Sequence, residues 1–145
     1  MKVTVKFEGG QQLDAALNQF TESKRRSIGR VALTNAGEIV ARAARAKAPR
    51  DTGELAESIS VSGTLSKAQK SGRTKATEQE RFIGPDNRPY GHLREFGSDG
   101  NPPEPFMRPA WDETNGQVLK RISDELWVGI EKAAKAAAKK AARGK

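Results

Sequence analysis

The chain has 145 residues, which is enough for one domain and too few for two. Only 26 residues are Leu, Ile, Val or Phe and 20 are Ala, so the core of an isolated monomer would be marginal. The chain contains no Cys, which excludes disulfides, a thiolate nucleophile and Cys-ligated metal clusters. Its one histidine, His92, excludes a multi-histidine metal site within a single chain.

The charge of the chain is concentrated at its C-terminal end. The formal net charge is +8 and the pI is about 10.0, so the chain should be attracted to polyanions or to an acidic protein surface. Residues 131–145 contain six basic residues and one acid and carry most of this charge. The sequence has no apolar run of about 18 residues and begins with a strand-like segment rather than a signal peptide. We therefore expect a soluble intracellular protein with no membrane span.

The first third of the chain predicts one strand and two helices. Alternating apolar and polar residues predict a strand over residues 2–7, and the spacing then changes to that of a short helix over 11–20. Thr21 is a suitable N-cap for a second, long helix. This helix should stop before Pro49, because the residue that precedes a proline is pushed out of the helical region.

The middle of the chain predicts a strand pair and a short helix. Alternation within residues 55–65 indicates a strand, and residues 82–83 indicate its antiparallel partner. The polar stretch 66–80 between them should be a mobile hairpin tip or an extended loop. A short helix over 89–96 then leads into a connector over 97–105 that is rich in Gly and Pro.

The last segment predicts a long helix that begins near Pro109, a residue suited to the first helical turn. Gly116 and Gly129 weaken the helix, so packing must hold it. Its end is nearly all Ala and Lys, a composition of very high helix propensity. The residues that form its predicted apolar stripe are Leu119, Ile122, Leu126, Ile130, Ala134 and Ala137.

These elements predict an α+β fold in which a small antiparallel sheet packs against two long helices. The polar segment between the strands adds an extended hairpin or loop, and the Ala/Lys segment adds a basic C-terminal helix. We predict a single α+β domain over residues 1–130 and a basic helical tail over 131–145.

The sequence offers few residues for catalysis. It contains no phosphate-binding loop, no nucleophile elbow and no dinucleotide fingerprint. His92 and Glu95 lie one helical turn apart and are the best candidates for acid–base chemistry, although a structural role is the favoured interpretation. Asp51 and Glu54 are better explained as residues of a first helical turn. We predict no catalytic residue, no cofactor and no metal.

Three short strings stand out from the rest of the sequence. APRDTGELAESI, residues 48–59, combines a helix stop, a turn and the start of a strand. PYGHLREFGS, residues 89–98, places Tyr90, Leu93 and Phe96 on one helical face, for which core packing is the favoured interpretation. PPEPFMRPAW, residues 102–111, is a proline-stiffened arm with apolar side chains. Such an arm either contacts a neighbouring subunit or folds back over its own sheet.

In this order the three strings resemble the minor tail components of long-tailed bacteriophages, a family whose namesake is gene product ten of coliphage HK-ninety-seven. The matching patterns are AP-x-DTG-x-L-x-x-SI from Ala48, Y-x-x-x-x-EFG from Tyr90 and P-F-M-R-P-A from Pro105. The resemblance implies a non-enzymatic tail-completion or head-tail joining protein of the virion neck or upper tail, made and assembled in the host cytoplasm. It also implies a ring of identical subunits that contacts the connector on one side and the tail tube or its terminator on the other.

The same resemblance guides the choice of candidate surfaces. DNA passes through such a ring in this family, so transient, non-specific contacts between basic residues and phosphates are expected. A small non-specific DNA-binding protein with a basic C-terminal helix is the alternative function. The candidates for a subunit or partner interface are Pro105, Phe106, Met107, Arg108, Trp111, Tyr90 and Phe96. The candidates for a DNA-facing surface are Lys67, Lys70, Arg73, Lys75, Lys135, Lys139 and Lys140.

Overall fold

A computed structural model describes residues 9–50, 53–64, 79–86 and 90–144. The strand predicted over residues 2–7 lies outside the described residues. So does most of the loop predicted over 66–80, with its candidate cations Lys67, Lys70, Arg73 and Lys75.

Two helices form the first part of the fold, as the sequence predicts. Helix α1 spans Gly10–Leu17 and helix α2 spans Glu22–Lys47. The Thr21 hydroxyl accepts a hydrogen bond from the backbone N–H of Lys24 at 3.3 Å, which confirms the predicted N-cap. Helix α2 ends two residues before Pro49, as the restriction on the residue before proline requires.

A helical turn and two short strands follow. Helix α3 spans Glu54–Ser58, β1 spans Ser60–Ser62 and β2 spans Phe82–Gly84. The strands are antiparallel, with Val61 opposite Ile83 and Ser62 opposite Phe82. Of residues 55–64, which the structure describes, only Ser60–Ser62 form a strand, because a turn of helix takes up the residues before it.

The sheet packs against α2 through one of its faces. Val61 and Ile83 pack against the buried core, and Gly37 of α2 lets the sheet approach closely. A Cβ atom at Gly37 would lie 3.0 Å from a methyl group of Val61. Because side chains alternate across a strand, Ser62 and Phe82 lie on the opposite face. The predicted α+β class, with a small antiparallel sheet on two long helices, is confirmed.

The second half of the fold is helical. Helix α4 spans Tyr90–Phe96 and helix α5 spans Met107–Arg143. Helix α5 begins two residues before Pro109 and continues through residue 131 without a break. The division of the chain at residue 131 stays a prediction. Within the described ranges, no helix is long and apolar enough to cross a membrane.

Helices α2 and α5 form an antiparallel pair that makes most of the core. Lys47 and Glu113 form an ion pair at one end, with an N···O distance of 2.6 Å. Further along, the Asn35 side-chain amide donates to the Glu125 carboxylate at 3.0 Å. The buried residues of α5 are Ala110, Thr114, Val118, Ile130 and Ala133.

The prediction for the apolar stripe of α5 is partly wrong. Ile130 is buried and Ile122 packs against the core, but Ala134 and Ala137 are exposed. Helix α5 has 37 residues and α2 has 26, so at about 1.5 Å per residue α5 is roughly 16 Å longer. The Lys47–Glu113 and Asn35–Glu125 contacts put the start of α2 level with about residue 138 of α5, so this extra length lies at both ends of α5. Ala134 and Ala137 are therefore exposed because they lie on a side of α5 that is not covered, and not because α2 is too short to reach them.

The two glycines of α5 should respond in opposite directions to replacement by alanine. A Cβ at Gly116 meets nothing within 4 Å, so Gly116→Ala should stabilise the chain by about 0.5–1 kcal/mol through helix propensity. A Cβ at Gly129 would lie 2.7 Å from Cγ2 of the buried Ile28. Gly129→Ala should therefore destabilise the chain by about 1–2 kcal/mol through overpacking. Urea unfolding of both variants measures the difference, and a stabilising Gly129→Ala would contradict this close packing of α2 and α5.

Candidate protein interaction site

The carboxylate of Glu95 holds the start of helix α5. The backbone N–H groups of Phe106 and Met107 donate to its Oε2 at 2.8 and 2.9 Å, and that of Arg108 donates to its Oε1 at 3.1 Å. The next residue, Pro109, has no N–H group. The N–H of Ala110 bonds to the carbonyl of Phe106. One side chain from α4 thus satisfies every donor of the first turn that the helix itself leaves unpaired.

The same hydrogen bonds control the ionisation of Glu95. Burial by itself raises the pKa of this carboxyl, since only 6% of the residue is exposed. The donated bonds from Met107, Phe106 and Arg108, together with the guanidinium charge of Arg108, outweigh burial and hold the pKa below its ordinary value. Glu95 is therefore a carboxylate whose two oxygens are committed to the helix, and it has a structural role. The acid–base pairing with His92 finds no support here, because His92 is exposed and packs against Phe96 instead.

A tight loop brings α4 and the start of α5 together. Gly97 has φ +80°, and a Cβ there would lie 3.0 Å from the nitrogen of Pro103 and 3.1 Å from the carbonyl oxygen of Asn101. Only glycine combines this backbone conformation with such a close approach. The backbone N–H of Glu104 donates to the carbonyl of Arg94 at 2.7 Å and closes the loop. The strings at residues 89–98 and 102–111 are therefore parts of one structural unit.

The remaining string, residues 48–59, packs against the same structural unit. Ala48, Leu55 and Ile59 are buried in one cluster with Phe106 and Ala110. The Arg45 guanidinium fixes this segment to α2 by donating to the carbonyl of Ile59 at 2.9 and 2.7 Å. All three strings that stand out in the sequence thus meet at one end of the helix pair.

An open groove lies beside this junction. Its volume is about 670 Å³, and it runs between the outer face of the sheet and the first turns of α5. Phe82 lines it from the sheet, while Met107, Arg108 and Trp111 line it from α5. Trp111 is 43% exposed, so a large aromatic surface remains available at the groove.

A second apolar area adjoins the groove through Arg108. Leu93 and Phe96 on α4 are 46% and 58% exposed. The guanidinium carbon of Arg108 lies 5.2 Å from the centroid of the Phe96 ring, and Arg108 also lines the groove. We call Leu93, Phe96, Arg108 and Trp111, together with the groove, the proximal patch.

The structure separates the interface candidates into exposed and buried residues. Phe96, Arg108, Trp111 and Pro105 are exposed, and Met107 lines the groove. Tyr90 is half-buried and packs against the core. Core packing of Leu93 and Phe96 was the favoured interpretation of their spacing, and it is wrong for both.

Phe106 requires a correction. Its side chain has no exposed surface and is one of the two largest fully buried side chains of the described chain. It fills the chain's own core between α2 and α5, so it offers nothing for a neighbouring subunit to contact. Burial follows from the Glu95 bonds, because they fix the backbone at the start of α5 and direct the residue inward.

Two further apolar areas were not assigned to an interface from the sequence: Phe82 is half-buried, and Trp127 and Val128 are exposed. Phe82 lines the groove, and the alternation of strand residues places it on the face opposite Ile83. Trp127 and Val128 are 39% and 44% exposed and lie just past the midpoint of α5. Trp127 and Val128 lie outside the predicted apolar stripe of α5, and this position could have identified them from the sequence as exposed. We call Trp127 and Val128 the distal patch.

The structure describes only some of the candidates for a DNA-facing surface. Lys135, Lys139 and Lys140 are exposed on the last turns of α5. The candidates between residues 67 and 75 lie outside the described residues. No cluster of His, Asp and Glu with the arrangement of a metal site occurs among the residues that the structure describes.

Comparisons with known proteins identify the family of the chain. Residues 11–97 match the model of the HK97-gp10-like family, described as "Bacteriophage HK97-gp10, putative tail-component". No curated protein matches the chain, and no solved structure does. The matched range includes the string at 48–59 and all but the last residue of the string at 89–98. Glu95 joins this range to the start of α5, which lies beyond it. Because the match covers more than half of the sequence, the chain belongs to the HK97-gp10-like family of bacteriophage tail components.

Proposed function

We propose that this chain completes the phage tail or joins it to the head as a structural protein of the neck or upper tail. It acts as a ring of identical subunits between the connector and the tail tube or its terminator, and it transforms no substrate. Its place is the virion, after synthesis and assembly in the cytoplasm of the bacterial host. The observation that carries the proposal is the proximal patch, which exposes large apolar side chains at the junction of the three strings.

The position of the two patches favours contact between copies of this chain. Trp111 and Trp127 are separated by 16 residues of one helix, or about 24 Å along its axis. The same separation turns them about 160° apart around the axis. A subunit with two different apolar patches that face away from each other suits a head-to-tail contact. Such contacts close into rings when the rotation between subunits permits it.

The chain also gains stability from such contacts. Its large aliphatic and aromatic residues are few. Among the residues that the structure describes, five large apolar side chains besides Trp111 are substantially exposed: Val31, Leu93, Phe96, Trp127 and Val128. Burying them against copies of the chain removes apolar area from water at about 25 cal/mol per Å². Association therefore stabilises the folded chain by mass action.

Substitution of either tryptophan by serine tests the assembly. Trp111→Ser or Trp127→Ser should abolish rings in electron micrographs of the purified protein and reduce its incorporation into particles by at least about tenfold. Each variant alone should stay folded, because both side chains are exposed. Gln117→Ser, at an exposed position of the same helix, is the matched control and should assemble normally.

A mixture of the two variants distinguishes the kinds of contact. Each Trp111→Ser subunit keeps an intact distal patch and each Trp127→Ser subunit keeps an intact proximal patch. A head-to-tail contact therefore predicts that an equimolar mixture forms heterodimers and nothing larger in sedimentation experiments. A parent chain that remains monomeric at high concentration and is absent from purified virions would overturn the proposal.

A further inference from the structure

The last turns of helix α5 carry positive charge that no acidic side chain of the described ranges neutralises. The cations of this segment are Lys132, Lys135, Lys139, Lys140 and Arg143, and all five are exposed. None of them forms an ion pair within the described residues. The middle of the same helix is different, because Lys120 pairs with Asp124 at 3.2 Å and Arg121 with Glu125 at 2.8 Å.

These cations are arranged as a stripe. At about 100° per residue, Lys132, Lys135, Lys139 and Arg143 fall within about 80° of the helix circumference. They extend over about 16 Å of the axis, and Lys140 lies about 60° to one side of the stripe. The other side chains from residue 133 to 142 are all alanine. This part of the helix has only cations to offer a partner.

The amino-acid composition of the stripe indicates which class of partner it can bind. A protein interface depends on buried aromatic or large apolar anchors, and the helix carries none after Ile130. A helix that binds a bilayer surface needs a strongly apolar face, which alanine does not supply. Single-stranded nucleic acid is held by stacking on aromatic side chains, and these too are missing from residues 131–144. Purely electrostatic attraction works best on a dense, regular polyanion, because each phosphate contact releases counterions.

We propose that the stripe formed by Lys132, Lys135, Lys139, Lys140 and Arg143 is a binding surface for the phosphate backbone of double-stranded DNA. We expect binding to be independent of sequence, because the segment contains no Asn or Gln and the proposed contacts of its Lys and Arg side chains are with phosphates. The stripe lies beyond the distal patch on α5, so DNA binding is separate from the contacts proposed for the ring. This inference does not rest on the proposed function.

Substitution of three stripe residues by glutamine tests the proposal on the full-length chain. The K135Q/K139Q/R143Q variant removes three charges and keeps good helix formers in place. Its matched control, K24Q/R30Q/R42Q, removes three charges at exposed positions of α2 that have no ion pair. Fluorescence anisotropy with two unrelated DNA duplexes measures the affinity at several salt concentrations.

We expect the parent chain to bind both duplexes equally, with an affinity that falls steeply as salt rises. The stripe variant should lose at least about tenfold in affinity, and its salt slope should decrease by about 2 to 3, since each lost phosphate contact removes about 0.9. The α2 variant should change by less than about threefold, an effect of net charge alone.

Three results would overturn the proposal. The first is equal loss of affinity in the two variants, the second is no binding of duplex DNA by the parent chain at moderate salt, and the third is tighter binding to polyglutamate than to DNA. Sedimentation of the stripe variant measures ring assembly separately from DNA binding. We expect the variant to assemble normally, so a failure of DNA binding leaves the proposed tail function untouched.

Discussion

Phe106→Ala should lower the free energy of unfolding by about 3–5 kcal/mol, the usual cost of removing a fully buried aromatic side chain. The side chain packs with Ala48, Leu55, Ile59 and Ala110, where α2 and the start of α5 meet. Several of these neighbours are small and cannot collapse into the space that the ring leaves. Since small domains are stable by only about 5–15 kcal/mol, the variant should be largely or partly unfolded in cells.

Trp111→Ala is the matched control for this prediction. The two residues lie five positions apart on the same segment, but Trp111 is 43% exposed. We expect Trp111→Ala to cost less than about 1 kcal/mol in urea unfolding and to impair assembly instead. A Phe106→Ala chain that is as stable as its parent but no longer joins the particle would show that Phe106 belongs to an interface.

Glu95→Gln should destabilise the chain by about 2–3 kcal/mol at neutral pH, because hydrogen bonds to a charged group and the attraction to a helix N-terminus are both lost. The glutamine side chain keeps one carbonyl oxygen but places an amide group against backbone N–H donors. The start of α5 should loosen, and amide hydrogen exchange at Phe106, Met107 and Arg108 should accelerate. Glu104→Gln is the control, because Glu104 is an exposed carboxylate of the same loop that pairs with Arg94.

The pH dependence of stability follows from the lowered pKa of Glu95. A carboxyl whose pKa is lower in the native than in the unfolded chain stabilises the fold fully above the unfolded-state pKa. This contribution is lost as the pH falls through the native pKa. The difference in unfolding free energy between the parent and Glu95→Gln should therefore be largest near neutral pH and shrink in acid.

Thermal and urea unfolding at a series of pH values measure this difference. The parent and Glu104→Gln should show the same acid-dependent loss of stability, and Glu95→Gln should show less of it. A Glu95→Gln chain that is as stable as Glu104→Gln at neutral pH would contradict the role of Glu95 at the helix start.

Much of the secondary structure could be predicted because its signals are local. The hydroxyl of Thr21 caps α2, Pro49 follows its end, and alternation marks strand residues within 55–65 and at 82–83. These features depend on neighbours within a few positions, and a sequence contains them directly. Family membership could also be predicted, because the three strings occur in the order that carries the resemblance.

The site was less predictable, because its residues are brought together across a loop. The helical spacing of Glu95 and His92 indicates that they could be partners. In the structure, the partners of Glu95 are the N–H groups of residues 106–108. No periodic pattern links a carboxylate to backbone donors more than ten residues away. The loop that joins them depends on a positive φ at Gly97 and on the closure between Glu104 and Arg94.

The sequence by itself determined the helices other than α3, the presence of a strand pair, the basic end of the chain and the family, since each of these follows from local spacing, composition or short motifs. Only the tertiary structure decided which of the motif aromatics face the core. Phe106 and Phe96 both belong to proline- or glycine-bounded strings with similar apolar content, yet one is fully buried and the other is 58% exposed. Burial depends on which side of each helix another element covers. That was settled by the antiparallel pairing of α2 with α5 and by the Glu95 bonds that fix where α5 begins.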